Sequence, residues 1–188
     1  SLITTGEFPT TNSELTALTP ASWTTESLIM LGSKVLPADK AKVIQAFEGN
    51  MDIVNYFGHG SVEVWGSGDI LDSDSVNLPA PTDLPPLVLS ITCLSGFFHD
   101  IYSNSLAEAL VMRTDGGAIA SISSSALAPE QSYGNTNQIL LAEMLDAKHN
   151  NLGEAYRSAI NKLTLSERQH IVLLGDPLLH LRGLHAVP

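Results

Sequence analysis

The chain has 188 residues, 44% of them hydrophobic and 15% charged. That is enough apolar side chain for one packed domain and too much for a disordered chain. A single cysteine, Cys93, excludes a disulfide scaffold, and the net charge of −11 argues against a nucleic-acid partner.

Residues 1–36 are rich in Ser, Thr and Pro and read as an irregular lead-in, with a short strand or helix near Ser27 to Leu31. Ser1 to Asn12 lacks the basic-then-apolar pattern of a signal peptide, and no apolar run reaches the ~18 residues of a membrane span. Pro37 to Glu48 reads as a helix with Val43, Ile44 and Phe47 on one face; Pro37 suits the first turn and Gly49-Asn50 the stop. Met51 to Phe57 is a buried strand, followed by a glycine-rich stretch from Gly58 to Gly68. Asp69 to Pro86 is acidic and proline-rich, a loop.

Leu87 to Cys93 is a second buried strand. Ser105 to Arg113 is a helix, opened by a capping box of Ser105 and Glu108. Gly117 to Ile122 is a third buried strand, and helices follow near Gln131 to Lys148 and Leu152 to Leu163. The tail holds an apolar run after Arg168, the turn Gly175-Asp176-Pro177, and a short strand at Leu178 to Leu181. Apolar strands alternating with helices predict a mostly parallel sheet covered on both faces. Ligands of such sheets sit beyond the carboxyl ends of the strands. Just past the first two strands stand His59, between two glycines, and Cys93.

A thiolate is the nucleophile of cysteine chemistry, and a free thiol of pKa ~8.5 is only partly ionised near neutrality. An imidazole can take the thiol proton or give one to a leaving amine. A developing oxyanion needs backbone N–H groups with no Cβ in the way, which suits Gly60 and Cys93. A lone cysteine in an apolar run is more often a small buried hydrophobe. It is the pairing with His59 at one sheet edge that points to catalysis.

The segment Asn55-Tyr56-Phe57-Gly58-His59-Gly60-Ser61, with Trp65 soon after, resembles the catalytic-histidine segment of the gingipain family of cysteine peptidases. Thr92-Cys93-Leu94-Ser95-Gly96-Phe97-Phe98 resembles its nucleophile segment. Ser105 to Leu110, Gly116 to Ala120 and Leu174 to Leu179 follow in the family's order. The resemblance runs from about Pro37 to Arg182 and implies a three-layer α/β/α caspase-like sandwich with a Cys/His dyad. It implies Cys93 as nucleophile, His59 as general acid/base, and the N–H groups of Gly60 and Cys93 as the oxyanion hole. Ser61 and Ile91 match positions that line the S1 pocket, and Trp65 is an expected wall of the substrate cleft. The implied reaction is hydrolysis of peptide bonds through a thioester, on a peptide or protein substrate, by a bacterial, exported enzyme.

Gingipains accept Arg or Lys at P1, but the acid that reads this side chain lies upstream of the matched region. Asp69, Asp72, Asp74 and Glu130 are only acidic residues in loops, so P1 preference stays open. The family's domain has strands and helices before the helix at Pro37. Their apparent absence predicts residues 37–188 as the peptidase domain with an exposed sheet edge. The chain is then a fragment, or an N-terminal chain or subdomain completes the sheet as partner.

No cofactor is expected. Family members often bind calcium as a structural ion, yet Asp69, Asp72, Asp74 and Asp83 lack the spacing of a calcium loop and read as a solvated acidic loop. His180 and His185 form a candidate ligand pair, for which a surface tail is the preferred reading. The stretch Gly58 to Gly68 lacks the ending of a phosphate-binding loop, and no Gly-x-Ser-x-Gly marks a serine hydrolase. The alternative to a peptidase is a peptidase-like binding, maturation or attachment module.

Overall fold

The computed structural model describes residues 2–6, 8–30, 35–77, 79–127 and 130–180. Six strands form one sheet: β1 (Leu2–Gly6), β2 (Thr25–Ile29), β3 (Ile53–Phe57), β6 (Leu87–Ser90), β7 (Ala120–Ser124) and β8 (Ile171–Gly175), in the order β2-β1-β3-β6-β7-β8. All neighbours are parallel except β7 and β8. A two-residue-stranded hairpin of β4 (Val64–Trp65) and β5 (Leu71–Asp72) stands after β3.

Alternation along the strands sorts the core into two layers. Ile53 and Phe57 of β3 with Leu87 and Leu89 of β6 pack under α1 (Pro9–Ala17), α4 (Glu130–Leu145) and α5 (Leu152–Lys162). Val54 and Tyr56 with Val88 pack against α2 (Pro37–Gln45), α3 (Leu106–Met112) and the hairpin. A sheet buried on both faces favours apolar strands, and β3 and β6 are buried at every position, with Asn55 and Ser90 their polar exceptions. The capping box at Ser105 is present: its side chain accepts from the Glu108 N–H, and the Glu108 carboxylate accepts from the Ser105 N–H. A short helix α6 (Leu165–Arg168), opened by a second capping box at Thr164, was not expected.

The irregular lead-in is corrected. Residues 2–6 and 25–29 are strands and 9–17 a helix, so the segment is part of the same sheet rather than a prelude to it. β1 pairs residue for residue with β3, from Leu2 with Ile53 to Gly6 with Phe57, and covers the edge expected to be bare. Among the described residues, the outermost parallel strand is instead β2. The strand near Ser27 begins at Thr25 and ends at Ile29; Leu31 lies outside the described residues. In the tail, the strand precedes the turn at Gly175 to Pro177. Past the turn, His180 forms an isolated bridge with Asn151 rather than part of a strand, and Leu181 lies outside the described residues.

Gly6 has φ +150°, and a Cβ there would lie 1.7 Å from the Phe57 carbonyl oxygen. Gly6→Ala is therefore expected to lower unfolding free energy by about 3 kcal/mol, read by denaturant titration; a loss under about 0.5 kcal/mol would contradict the insertion of β1. At the α4–α5 interface the Glu143 side chain, 4% exposed, accepts from the Lys162 ammonium and pairs with His149 Nε2 at 2.8 Å. Burial pushes its carboxyl up, but the bonds from Lys162, Ser158 and His149 outweigh it and hold the group at about 2, against an ordinary 4.5. A depressed carboxyl contributes stability that is complete above its unfolded value and lost as pH falls through its folded one. The stability advantage of the wild type over Glu143→Gln should thus shrink between about pH 4.5 and about pH 2, followed by thermal midpoints across that window. A constant difference would sink the assignment.

Candidate active site

The register of β3 with β6 builds the site. The ladder pairs Ile53 with Leu87 through Tyr56 with Ser90. Past it, the Ile91 N–H donates to the Tyr56 carbonyl at 3.3 Å, and the Thr92 hydroxyl donates to the Gly58 carbonyl at 2.6 Å. The same 34-residue offset therefore continues beyond the strands and sets His59 level with Cys93. Both stand at the carboxyl edge of the sheet, where an open parallel sheet places its chemistry.

The backbone of His59 is fixed from two sides. Its carbonyl accepts from the Gly66 N–H at 2.8 Å and from the Tyr56 hydroxyl at 2.6 Å. Its ring meets the Phe8 ring edge-on at 5.2 Å, and Phe8 also leans on Phe57 at 5.4 Å. Gly60 lies opposite Trp65, and the flanking bonds run from Ser61 N–H to Val64 and from Gly66 N–H to His59. In that pairing the N–H of Gly60 points away from the hairpin. A Cβ on Gly60 would come within 2.6 Å of Thr92 Oγ1, so only glycine fits.

Cys93 is a half-buried free thiol packed against the α4–α5 core layer. The turn that follows it is stitched to the end of β7: Leu94 N–H donates to Ala126 at 3.2 Å and Gly96 N–H to Ser124 at 2.8 Å. Leu94 adopts φ +59°, a left-handed conformation that costs a branched residue free energy. Beneath the turn, Trp65 Nε1 donates to Ser90 Oγ at 2.7 Å, Ser90 Oγ to Ser95 Oγ at 2.9 Å, and Ser95 Oγ to the Ser90 carbonyl at 2.9 Å. From α4, the Tyr133 hydroxyl donates to the Ala126 carbonyl and shares a 2.6 Å bond with Ser124 Oγ. Burial pushes the Tyr133 phenol up to about 12; the Ser124 bond opposes this and the charge of Cys93 adds to it. The phenol is thus a neutral donor near neutrality.

Two of the residues expected at the substrate cleft are buried in the structure. Trp65 is fully buried and stacked on Tyr56 at 4.6 Å, beneath the turn after Cys93. Ile91 continues the alternation of β6 into the core and is also fully buried. Ser61 is exposed, at the rim of a depression of about 350 Å³ shared with Glu63, Asp69, Asp72 and Asp74. Burial raises the Asp72 carboxyl, but bonds from Ser75 and Lys40 outweigh it and hold the group below its ordinary value. The side chain of Glu130 and all of His185 lie outside the described residues.

Among the described residues, one group of three acids and histidines could converge on a metal ion: Glu143, Asp146 and His149. It lies at the α4–α5 interface, and its carboxylates already pair with Lys162 and Lys148. Sequence reasoning missed Phe8, Thr92 and Tyr133. Thr92 was findable from the 34-residue offset itself. Phe8 and Tyr133 were not, since their places depend on β1 joining the sheet and on how α4 seats.

The model of peptidase family C25 matches residues 4–182. Gingipain R2 and gingipain R1 of Porphyromonas gingivalis are each 31% identical over 113 residues, 58% of this chain. The matched region is 15% of the first relative and 11% of the second, so the chain corresponds to a small part of either. Among solved structures, the complex of Porphyromonas gingivalis RgpB pro- and mature domains superposes with a TM-score of 0.72 at 20% identity, covering 95% of this chain and 48% of that one. The Arg-specific cysteine proteinase gingipain R gives a TM-score of 0.67 at 20% identity, over 95% and 47%. These likenesses show the caspase-like α/β fold, and among the described residues no helix is long and apolar enough to cross a membrane. With the family model spanning both the histidine and the cysteine segments, the chain belongs to peptidase family C25.

Proposed function

We propose that this chain carries the Cys/His dyad of a cysteine endopeptidase, acting on peptide or protein substrates outside a bacterial cell. The observation that supports the reading is the shared offset that sets His59 level with Cys93 across adjacent parallel strands. Cys93 Sγ, as thiolate, attacks the scissile carbonyl carbon. A C–S bond forms and the carbonyl electrons move to oxygen. The N–H groups of Gly60 and Cys93 receive that oxyanion; donors of this kind are worth about 3 kcal/mol each in other enzymes. On collapse the C–N bond breaks and the leaving amine takes a proton from His59. Water then attacks the thioester, His59 accepts its proton, and the C–S bond breaks to restore the thiolate.

The exported setting and the peptide substrate follow from the gingipain resemblance. So does an N-terminal chain or subdomain as partner, for which β2, the outermost parallel strand among the described residues, is the candidate edge.

Peptidyl chloromethyl ketones differing at P1, with the modified residue mapped by mass spectrometry, test the reading. One P1 class should label Cys93 selectively. Cys93→Ala should abolish turnover with the fold retained, and His59→Ala should slow acylation by roughly 10²- to 10⁴-fold. Peptidase activity surviving in Cys93→Ala would overturn the assignment. Absence of labelling in folded protein would favour the non-catalytic module.

A further inference from the structure

We infer that Thr92 is a positioning residue whose hydroxyl clasps the histidine loop to the nucleophile strand and sets the reach between His59 and Cys93. The inference rests on the dyad reading above.

Beyond the last ladder bond, from Ile91 N–H to Tyr56, two parallel strands would be free to splay. Thr92 Oγ1 donates to the Gly58 carbonyl at 2.6 Å, so a side chain extends the ladder by one more link. Thr92 is fully buried, and removing a buried donor leaves its acceptor without compensation. Both branches of the same side chain underlie Gly60: a Cβ there would lie 2.6 Å from Thr92 Oγ1 and 2.8 Å from Thr92 Cγ2. The side chain of the residue that directly precedes Cys93 thus lies against both residues that flank His59. Threonine suits this place because its branched Cβ restricts χ1, so hydroxyl and methyl are presented together with little freedom. Serine keeps the donor but not the methyl, and valine keeps the shape but not the donor.

A merely structural role would change stability alone. The distinguishing readout is the pH dependence of Cys93 alkylation by iodoacetamide. As the chain's single cysteine, Cys93 reports without a substrate. Thr92→Val is expected to fold, to shift that pH profile, and to lower kcat by roughly 10- to 100-fold with KM within about twofold, since a displacement near 1 Å costs about that much. Thr92→Ser should return the profile to that of the wild type and kcat to within about threefold. If the valine variant fails to fold, the serine and alanine variants, which differ by the hydroxyl alone, make the same comparison.

A wild-type profile and wild-type kcat in the variant lacking the hydroxyl would overturn the inference. So would a serine variant as impaired as the one without the donor. Should the wild type cleave no peptide while loss of the hydroxyl still shifts the alkylation profile, the peptidase reading fails and the clasp stands. Should peptides be cleaved and the profile stay unmoved, the clasp fails and the reading stands.

Discussion

The parallel register between β3 and β6 is the constraint on which the rest depends. Side chains alternate along a strand, so a slip of one residue would carry Cys93 to the opposite face from His59. It would also expose Leu87 and Leu89 to the wrong helix layer. Burial on both faces makes such a slip costly, because both layers of the core would have to be rebuilt together. The geometry of the site is therefore specified by hydrophobic packing several residues away. The hydrogen bonds at the strand ends refine a position that the core has already chosen.

The parts of the fold legible in the sequence are those in which local pattern and tertiary role agree. β3 and β6 are buried throughout and apolar except at Asn55 and Ser90, because both faces are covered, and α5 carries a one-sided apolar stripe with Leu152, Ala155 and Ala159 buried. β1 is different. Its Leu-Ile-Thr-Thr-Gly run has two buried threonines, and α1 behind it buries only Asn12 and Leu15. No amphipathic period exists there to be read. The polar positions are satisfied partly by one another, as in the 2.9 Å contact of Thr4 with Thr16, and that compensation is visible only once the elements are packed. Threonine is a good strand former, so composition that looks like a loop served as an inner strand.

The site shows the same division. The glycines around His59 and the cysteine at a strand end were readable as a backbone approaching a reaction centre. Which nearby large side chains are buried was not readable. Trp65 and Ile91 are apolar residues close in sequence to His59 and Cys93, and proximity in sequence does not separate an exposed side chain from a buried support. Parity does for Ile91: it continues the inward series of Leu87 and Leu89, whereas Cys93, two residues on, reaches the end of the covered surface. For Trp65 the deciding feature is the turn back of the hairpin, which stacks the indole on Tyr56 and aims its N–H at Ser90.

The serines beneath the turn after Cys93 hold that turn in place. β7 carries buried Ser121, Ser123 and Ser124 where a parallel core strand would ordinarily carry branched apolar residues. The Ser124 carbonyl holds Gly96, and its hydroxyl meets Tyr133, which in turn holds the Ala126 carbonyl that receives Leu94. From the other side the chain Trp65 to Ser90 to Ser95 grips the same turn. A left-handed Leu94 is unfavourable by itself and persists only where its surroundings over-determine it. Polar groups placed in the dry interior supply that determination, because each is costly to leave unpaired and therefore resists any movement of the turn. The composition of β7 is thus the counterpart of the strain at Leu94: the core gives up apolar contact in one strand, and the backbone beside Cys93 is held in a conformation it would not otherwise keep.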